Sequence, residues 1–398
     1  MQNIERVRVT HVGSLVRPPE LLDVLRQREL DGEVDATRYE ERLRQAVAQA
    51  VHQQVAAGID VVSDGEYGKG ISWSRYALER LEGFEYRPSD GQLESGQVVR
   101  ESVDRARFRA FYEEYDRTQG FRGSVGAWVC TGPIRYCGHA ALTRDIENLQ
   151  QAAAECGAPA AFLPVAAPGS VAADRIDEHY GSDEELLFAI ADALREEYRA
   201  ILDAGLYLQV DDAHLPGMYE RMVPPASFDD YLRWADQRVQ ALNHALRGLP
   251  QDRIRYHVCW GSWNAPHTGD VPFELIVDLV LRVRATGYSV EQANPRHEHE
   301  WRVWERVALP DDRVLLPGLV SHATNVVEHP ELVAQRLIRL ARLVGRERVV
   351  ASTDCGFAQG PFVRRVHPSI MWAKLEALAQ GARLASQELW RSGVTGSH

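Results

Sequence analysis

Nowhere does the chain approach the roughly 18 consecutive apolar residues that a membrane-spanning helix needs, and residues 1–15 lack the apolar core of a secretory leader. The expectation is a cytoplasmic protein with no membrane partner. Basic charge is also scarce: 45 Lys and Arg stand against 57 Asp and Glu, for a formal net charge of -12. Nucleic-acid binding needs a basic footprint, so no such partner is expected. Cysteine is sparse, with five residues, Cys130, Cys137, Cys156, Cys259 and Cys355. That odd, scattered set lacks the spacing of a disulfide framework and leaves thiol or metal chemistry open. No glycine-rich dinucleotide fingerprint or phosphate-binding loop follows a candidate strand, which counts against a nucleotide-binding fold.

What the chain does have is a repeated unit of helix, glycine and strand. Thr37 with Glu40 reads as a capping box, followed by Leu43, Val47, Ala50 and Val51 at helical period, then Gly58 and the apolar run Ile59-Asp60-Val61-Val62. The unit returns from Ser182 with Glu185 to Gly205 and a strand over 206–210. It returns again over 227–248, over 273–287 and over 330–345, each time followed by a strand. Glycine after the last helical turn is the expected left-handed cap, and such alternation predicts parallel βαβ units.

Polar residues cluster where these strands end. A first strand over 7–12 runs into Gly13-Ser14, a second into Ser63-Asp64-Gly65-Glu66, and the strand after Gly205 into Asp211-Asp212; later ends carry His257 and Cys259, Glu291, His322, and Asp354-Cys355. In a closed (β/α)8 barrel all of these ends share one rim, where active sites sit. The expectation is therefore a single TIM-type barrel domain over residues 1–398. Residues 85–140 break the rhythm and read as an insertion after strand two, packed over the rim. Residues 124–130 and 161–164 both look extended, one strand more than a barrel needs. Residues 367–390 read as a final covering helix.

His257-Val258-Cys259 is the stretch on which a function turns. In a strand, residues two apart face one side, so imidazole and thiol sit together with the spacing of two metal ligands. A lone pair of this kind is often plain core; Glu291 and Cys355, ending two other strands, make it a candidate zinc set of His257, Cys259, Glu291 and Cys355. Glu66 and Asp211 read either as loop carboxylates and helix caps or as acids holding the ammonium of an amino-acid thiol. Ser14 reads either as a helix cap or as part of a turn whose N–H groups take a substrate carboxylate. The tract Arg296-His297-Glu298-His299-Glu300 lacks zinc-binding His spacing and reads as the start of a helix near Trp301. Cys130, Cys137 and Cys156 read as packing residues.

Taken together, these pieces resemble the catalytic C-terminal half of the cobalamin-independent methionine synthase family and its short single-barrel members, in the family's order and over nearly the whole chain. The matching stretches are His11-Val12-Gly13-Ser14, Asp64-Gly65-Glu66, Gln209-Val210-Asp211-Asp212, His257-Val258-Cys259, Glu291, His322 and Asp354-Cys355-Gly356. The resemblance implies zinc on His257, Cys259, Glu291 and Cys355, proton movement by His322, and a catalytic or substrate-binding role for Asp211, with Ser14 and Glu66 binding substrate. It implies an S-methyltransferase acting on homocysteine, whose thiol reacts as a zinc-bound thiolate. The methyl donor would be a folate or a methyl-corrinoid protein. The chain lacks the second barrel of the long enzymes, and Ala166-Ala167-Pro168-Gly169 stand where those carry a pterin-stacking tryptophan. The alternative is thiol addition to an epoxide, as in the related epoxyalkane:coenzyme M transferases. Other classes are a zinc hydrolase, disfavoured by two cysteinates, and a non-catalytic metal or thiol binder.

Overall fold

The computed structural model describes residues 2–3, 5–31, 35–70, 72–88, 102–118, 126–362 and 364–391. Its first elements are α1 (Pro19–Asp31), α2 (Ala36–Ala56), β1 (Val61–Val62), β2 (Leu81–Pro88), α3 (Val103–Arg107), α4 (Arg109–Thr118) and β3 (Gly126–Tyr136). Then come α5 (His139–Cys156), β4 (Ala160–Ala166), α6 (Pro168–Ala172), β5 (Ile176–Asp177), α7 (Asp183–Asp203), β6 (Tyr207–Asp211), α8 (His214–Gly217) and α9 (Tyr219–Met222). The rest are α10 (Phe228–Ala245), β7 (Ile254–Val258), α11 (Phe273–Leu281), β8 (Gly287–Val290), β9 (Val314–Val320), α12 (Pro330–Val344), β10 (Ser352–Thr353) and α13 (Pro368–Arg391).

The helix starts follow local chemistry. Ser182 caps α7 by accepting from Glu185 N–H, and Ser227 with Asp230 forms a complete capping box on α10. On α2 the cap is Asp35 rather than Thr37: its carboxylate accepts from the N–H groups of Thr37 and Arg38, an ionised acceptor at the positive end of the helix. After α2 and α7 the chain turns at Gly58 (φ 91°) and Gly205 (φ 81°), a conformation that favours glycine. Each helix buries one stripe, as α7 does with Leu186, Ile190, Leu194 and Ile201.

Those stripes cover a parallel sheet of order β1-β4-β6-β7-β8-β9-β10. Strands β7, β8 and β9 are buried along their whole length, as parallel strands covered on both faces must be. Residues 7–12 form no regular strand; only Val9 bridges, to Ala351. Side chains take the N–H groups a ladder would use: Val7 donates to Ser386, Arg8 to Asn3, Val9 to Asp60 and Val12 to Thr353. Even so, this segment reaches both edges of the curled sheet. Thr10 N–H meets Ala351 O at 2.8 Å, and Val9 O accepts from Asp60 and Val61 at 2.9 and 3.2 Å. Inside the curl, Arg255 donates to Thr10 Oγ1 at 3.1 Å and His11 O at 2.8 Å and lies over the Phe162 ring.

The surplus strand is explained by a second, three-stranded sheet of order β2-β3-β5, with β2 antiparallel to β3. Residue 124, where one extended run was expected to start, lies outside the described residues. Helices α3 and α4, between β2 and β3, reach loops that follow sheet strands. Asp104 accepts from Thr268 N–H at 2.7 Å, and Arg365 donates to Tyr115 OH at 2.6 Å. No described helix is long and apolar enough to cross a membrane.

Candidate metal and substrate site

Register brings the chemistry together. Asp211 on β6 lies beside His257 on β7, and His257 beside Ser289 on β8. Cys259 leaves the end of β7, Glu291 the end of β8 and Cys355 the end of β10. The ligand atoms of His257, Cys259 and Cys355 all lie within 4.8 Å of one another, and the two Sγ atoms are 3.5 Å apart. A tetrahedral zinc with bonds of about 2.3 Å would set two cysteine sulfurs about 3.8 Å apart. His257 Nδ1 sits 3.1 Å from Ser289 Oγ, while its Nε2 is buried with no partner among the described residues. A histidine anchored through one ring nitrogen, with the other aimed at two thiols, is the arrangement of a metal ligand.

The loops around these residues are held firmly. Asp354 accepts from the N–H groups of Gln292 and Ala293, both at 2.8 Å, so the loop after β10 fixes the loop after β8. Trp260 lies on His297 with ring centroids 4.0 Å apart, and His297 is gripped by Asp270 at 3.0 Å and Glu300 at 2.8 Å. The tract 296–300 is thus structural, running into a 3-10 turn over Glu298–Glu305. After Cys355 the chain passes so close to Ser14 that a Cβ on Gly356 would meet Ser14 Oγ at 2.2 Å.

Glu291 lies outside the group of three. Its carboxylate accepts from Trp260 N–H at 3.3 Å and from Asn294 at 2.6 Å. Burial, with Asp354, Cys355 and Asp270 nearby, pushes its pKa well up. The thiols divide their roles: hydrogen bonding to Cys259 lowers Cys355, while Cys259 is driven up by the same contact and by burial. His322 is buried with both ring nitrogens lacking a partner among the described residues, and burial lowers it to about 4.

A cavity of about 330 Å³ opens beside the sulfurs; Ser14, Glu66, Asp211, His257, Cys259 and Cys355 are among its lining residues. Glu66 pairs with Lys69 at 3.2 Å, and burial raises its pKa against that partner. Burial also raises Asp211 to about 7, and Gln209 donates to it at 2.8 Å. Ser14 Oγ accepts from Ala358 N–H at 3.2 Å. The neighbouring Asp212 turns away to Ser170 and Tyr256. Ala166, Ala167, Pro168 and Gly169 are buried and do not face the cavity, yet it has aromatic walls in Trp73 and Trp263, and arginines in Arg75, Arg175, Arg221 and Arg365. Sequence reasoning missed all of these and Lys69. The signal was position alone, since most lie in loops that follow sheet strands.

The family model for the catalytic domain of cobalamin-independent synthases matches residues 172–367. The chain is similar to 2-hydroxypropyl-CoM lyase of Xanthobacter autotrophicus, with 25% identity over 88% of this chain and 87% of that one. It is also similar to methionine synthase of Thermococcus kodakarensis, with 24% identity over 96% and 95%. In fold it resembles the B12-independent methionine synthase of Shewanella sp. W3-18-1 in complex with selenomethionine, with a TM-score of 0.70, 19% identity and coverage of 97% and 99%. With this match and these residues at the strand ends, the chain resembles the cobalamin-independent methionine synthase family, and residues 172–367 are similar to its catalytic domain.

Proposed function

We propose that the protein is a zinc-dependent thiol alkyltransferase whose thiol substrate is homocysteine, methylated to methionine. The observation that carries this reading is the convergence of His257, Cys259 and Cys355 at the cavity wall, with His257 Nε2 buried and without a partner among the described residues. The donor set fits zinc, and Glu291 would complete it. Zinc bound there supplies a Lewis acid that lets a substrate thiol react as thiolate at neutral pH. Residues 7–12 complete, on this reading, an eight-staved (β/α)8 barrel, and the rim of that barrel is the cavity floor.

The chain's own residues then do the remaining work. Glu291, held back by Trp260 N–H and Asn294, would be the weakest of the four zinc-holding residues and the one a substrate sulfur would replace. Glu66 and Asp211 hold the amino-acid ammonium, and the turn at Ser14 faces its carboxylate. Asp211, beside His257, also fixes the charge of the metal end. His322, neutral at pH 7 and without a partner among the described residues, lies near Cys355 and takes up or delivers the proton. Zinc analysis together with an assay for methionine formed from homocysteine tests this; zinc-replete protein that alkylates no thiol would refute it. A second reading, thiol addition of coenzyme M to an epoxide, draws on the 2-hydroxypropyl-CoM lyase relative and the cavity arginines. The two buried acids Glu66 and Asp211 favour an amino acid over a sulfonate.

A further inference from the structure

The cavity has a second polar end that the thiol chemistry does not use. Arg75, Arg175 and Arg221 all line it, from the turn after β1, the loop after α6 and α9. Arg221 pairs with the Asp174 carboxylate at 2.6 and 3.3 Å. Arg175 instead donates to backbone, to Val171 O at 3.1 Å and Asp174 O at 3.4 Å. Among the described residues, the three guanidinium groups lie around one carboxylate, Asp174, so the local charge there is positive. The acids at the other end do not offset it: Glu66 and Asp211 act with Lys69 and His257, and Glu220 faces Asp270, Asp104 and His267.

Burial and the adjacent Arg75 pull Arg175 down to about 10, so it stays charged at neutral pH while crowded by another cation. Such crowding costs free energy that an anion would relieve. His214 lies in the field of the same three arginines, and its Nδ1 is buried without a partner among the described residues. Its ring lies beside that of Trp73, 5.8 Å away, and both side chains line the cavity.

We propose that Arg75, Arg175 and Arg221 form an anion subsite, with His214 as a further polar contact and Trp73 as a flat wall, and that it takes the carboxylate or sulfonate of the alkyl donor. Planar guanidinium groups meet such oxyanions through paired hydrogen bonds. The alkyl-transfer reading above supplies only the identity of the ligand as donor; the anion site itself stands on the arginines.

Benzoate and benzamide are the probes, having the same ring with and without the charge. In the zinc-replete full chain, calorimetry should show saturable benzoate binding and benzamide binding weaker by about tenfold or more. Arg175→Gln should weaken benzoate by a similar factor with zinc content unchanged, and Arg175→Lys should recover part of the loss. Arg221→Gln, on a different element, reads the same effect if the first variant does not fold. Saturating homocysteine should leave benzoate affinity unchanged. Equal binding of benzoate and benzamide, or parental benzoate affinity in Arg221→Gln, overturns the subsite. Exclusion of benzoate by homocysteine overturns the assignment to the donor, because the arginines would then hold the thiol's own carboxylate. Benzoate binding with these properties in a protein that alkylates no thiol would defeat the proposed function and uphold the anion site.

Discussion

Cys259 and Cys355, separated by 96 residues of chain, hold their sulfur atoms 3.5 Å apart at the ends of two strands. Two buried thiols this close share a proton more readily than they lose both, and a divalent cation resolves the conflict. Replacing Cys355 with Ser should therefore remove most of the bound zinc, with at least about a hundredfold loss of affinity, beyond what loss of a supporting contact costs. Metal analysis of purified protein decides this, and parental zinc occupancy would exclude the site.

Ser289 orients His257 through Nδ1 without touching the sulfurs. Ser289→Ala should weaken zinc about 10- to 100-fold and leave the fold intact by circular dichroism. A variant that competes with a chelator as well as the parent does would show that the contact is incidental.

Glu66→Gln and Asp211→Asn keep shape and remove charge at the cavity wall. Each should weaken homocysteine binding by about tenfold, the loss of one charge-assisted contact, with zinc retained. Glu66→Ala should in addition destabilise the chain, because Lys69 would lose its buried partner. Unaltered homocysteine affinity in both conservative variants would remove these acids from the substrate site.

His297 couples stability to pH. Burial opposes its protonation, but hydrogen bonds to Asp270 and Glu300 outweigh it and raise the pKa to about 9. The unfolded value is about 6.5, so the folded state binds the proton more tightly. The contribution is complete below about pH 6.5, amounts to at most about 3 kcal/mol, and is lost as pH rises through about 9. The melting temperature of the parent should fall over that interval more steeply than that of His297→Gln. Parallel curves would contradict the assignment.

The donor is open to direct assay. No described aromatic stands at Ala166-Ala167-Pro168-Gly169, and stacking contributes about 0.5 to 1.5 kcal/mol beyond area burial. Polyglutamylated methyltetrahydrofolate should therefore be a poor methyl donor compared with a small methylated anion or a methyl-corrinoid protein. Efficient turnover with the folate at micromolar concentration would reverse this, and Trp73 or Trp263 would be the platform to mutate next.

The amino-acid sequence by itself determined the alternation of helix and strand, the cap at Ser182, and the appearance of His257, Cys259, Glu291 and Cys355 at strand ends. Periodicity and capping act over a few residues, so they can be read locally. Three-dimensional packing decided what no local signal carries. Val7, Val9 and Val12 gave their N–H groups to distant side chains, and residues 7–12 formed a bridge instead of a strand. Glu291 was held by Trp260 N–H and Asn294, outside the His257, Cys259 and Cys355 group. Arg75, Arg175 and Arg221, unremarkable in three separate stretches of sequence, came to line one cavity. Each outcome depends on contacts between residues tens to hundreds of positions apart, such as Arg255 with Thr10 and Ser14 with Ala358, and these form only once the sheet has curled and its register has placed Asp211 beside His257.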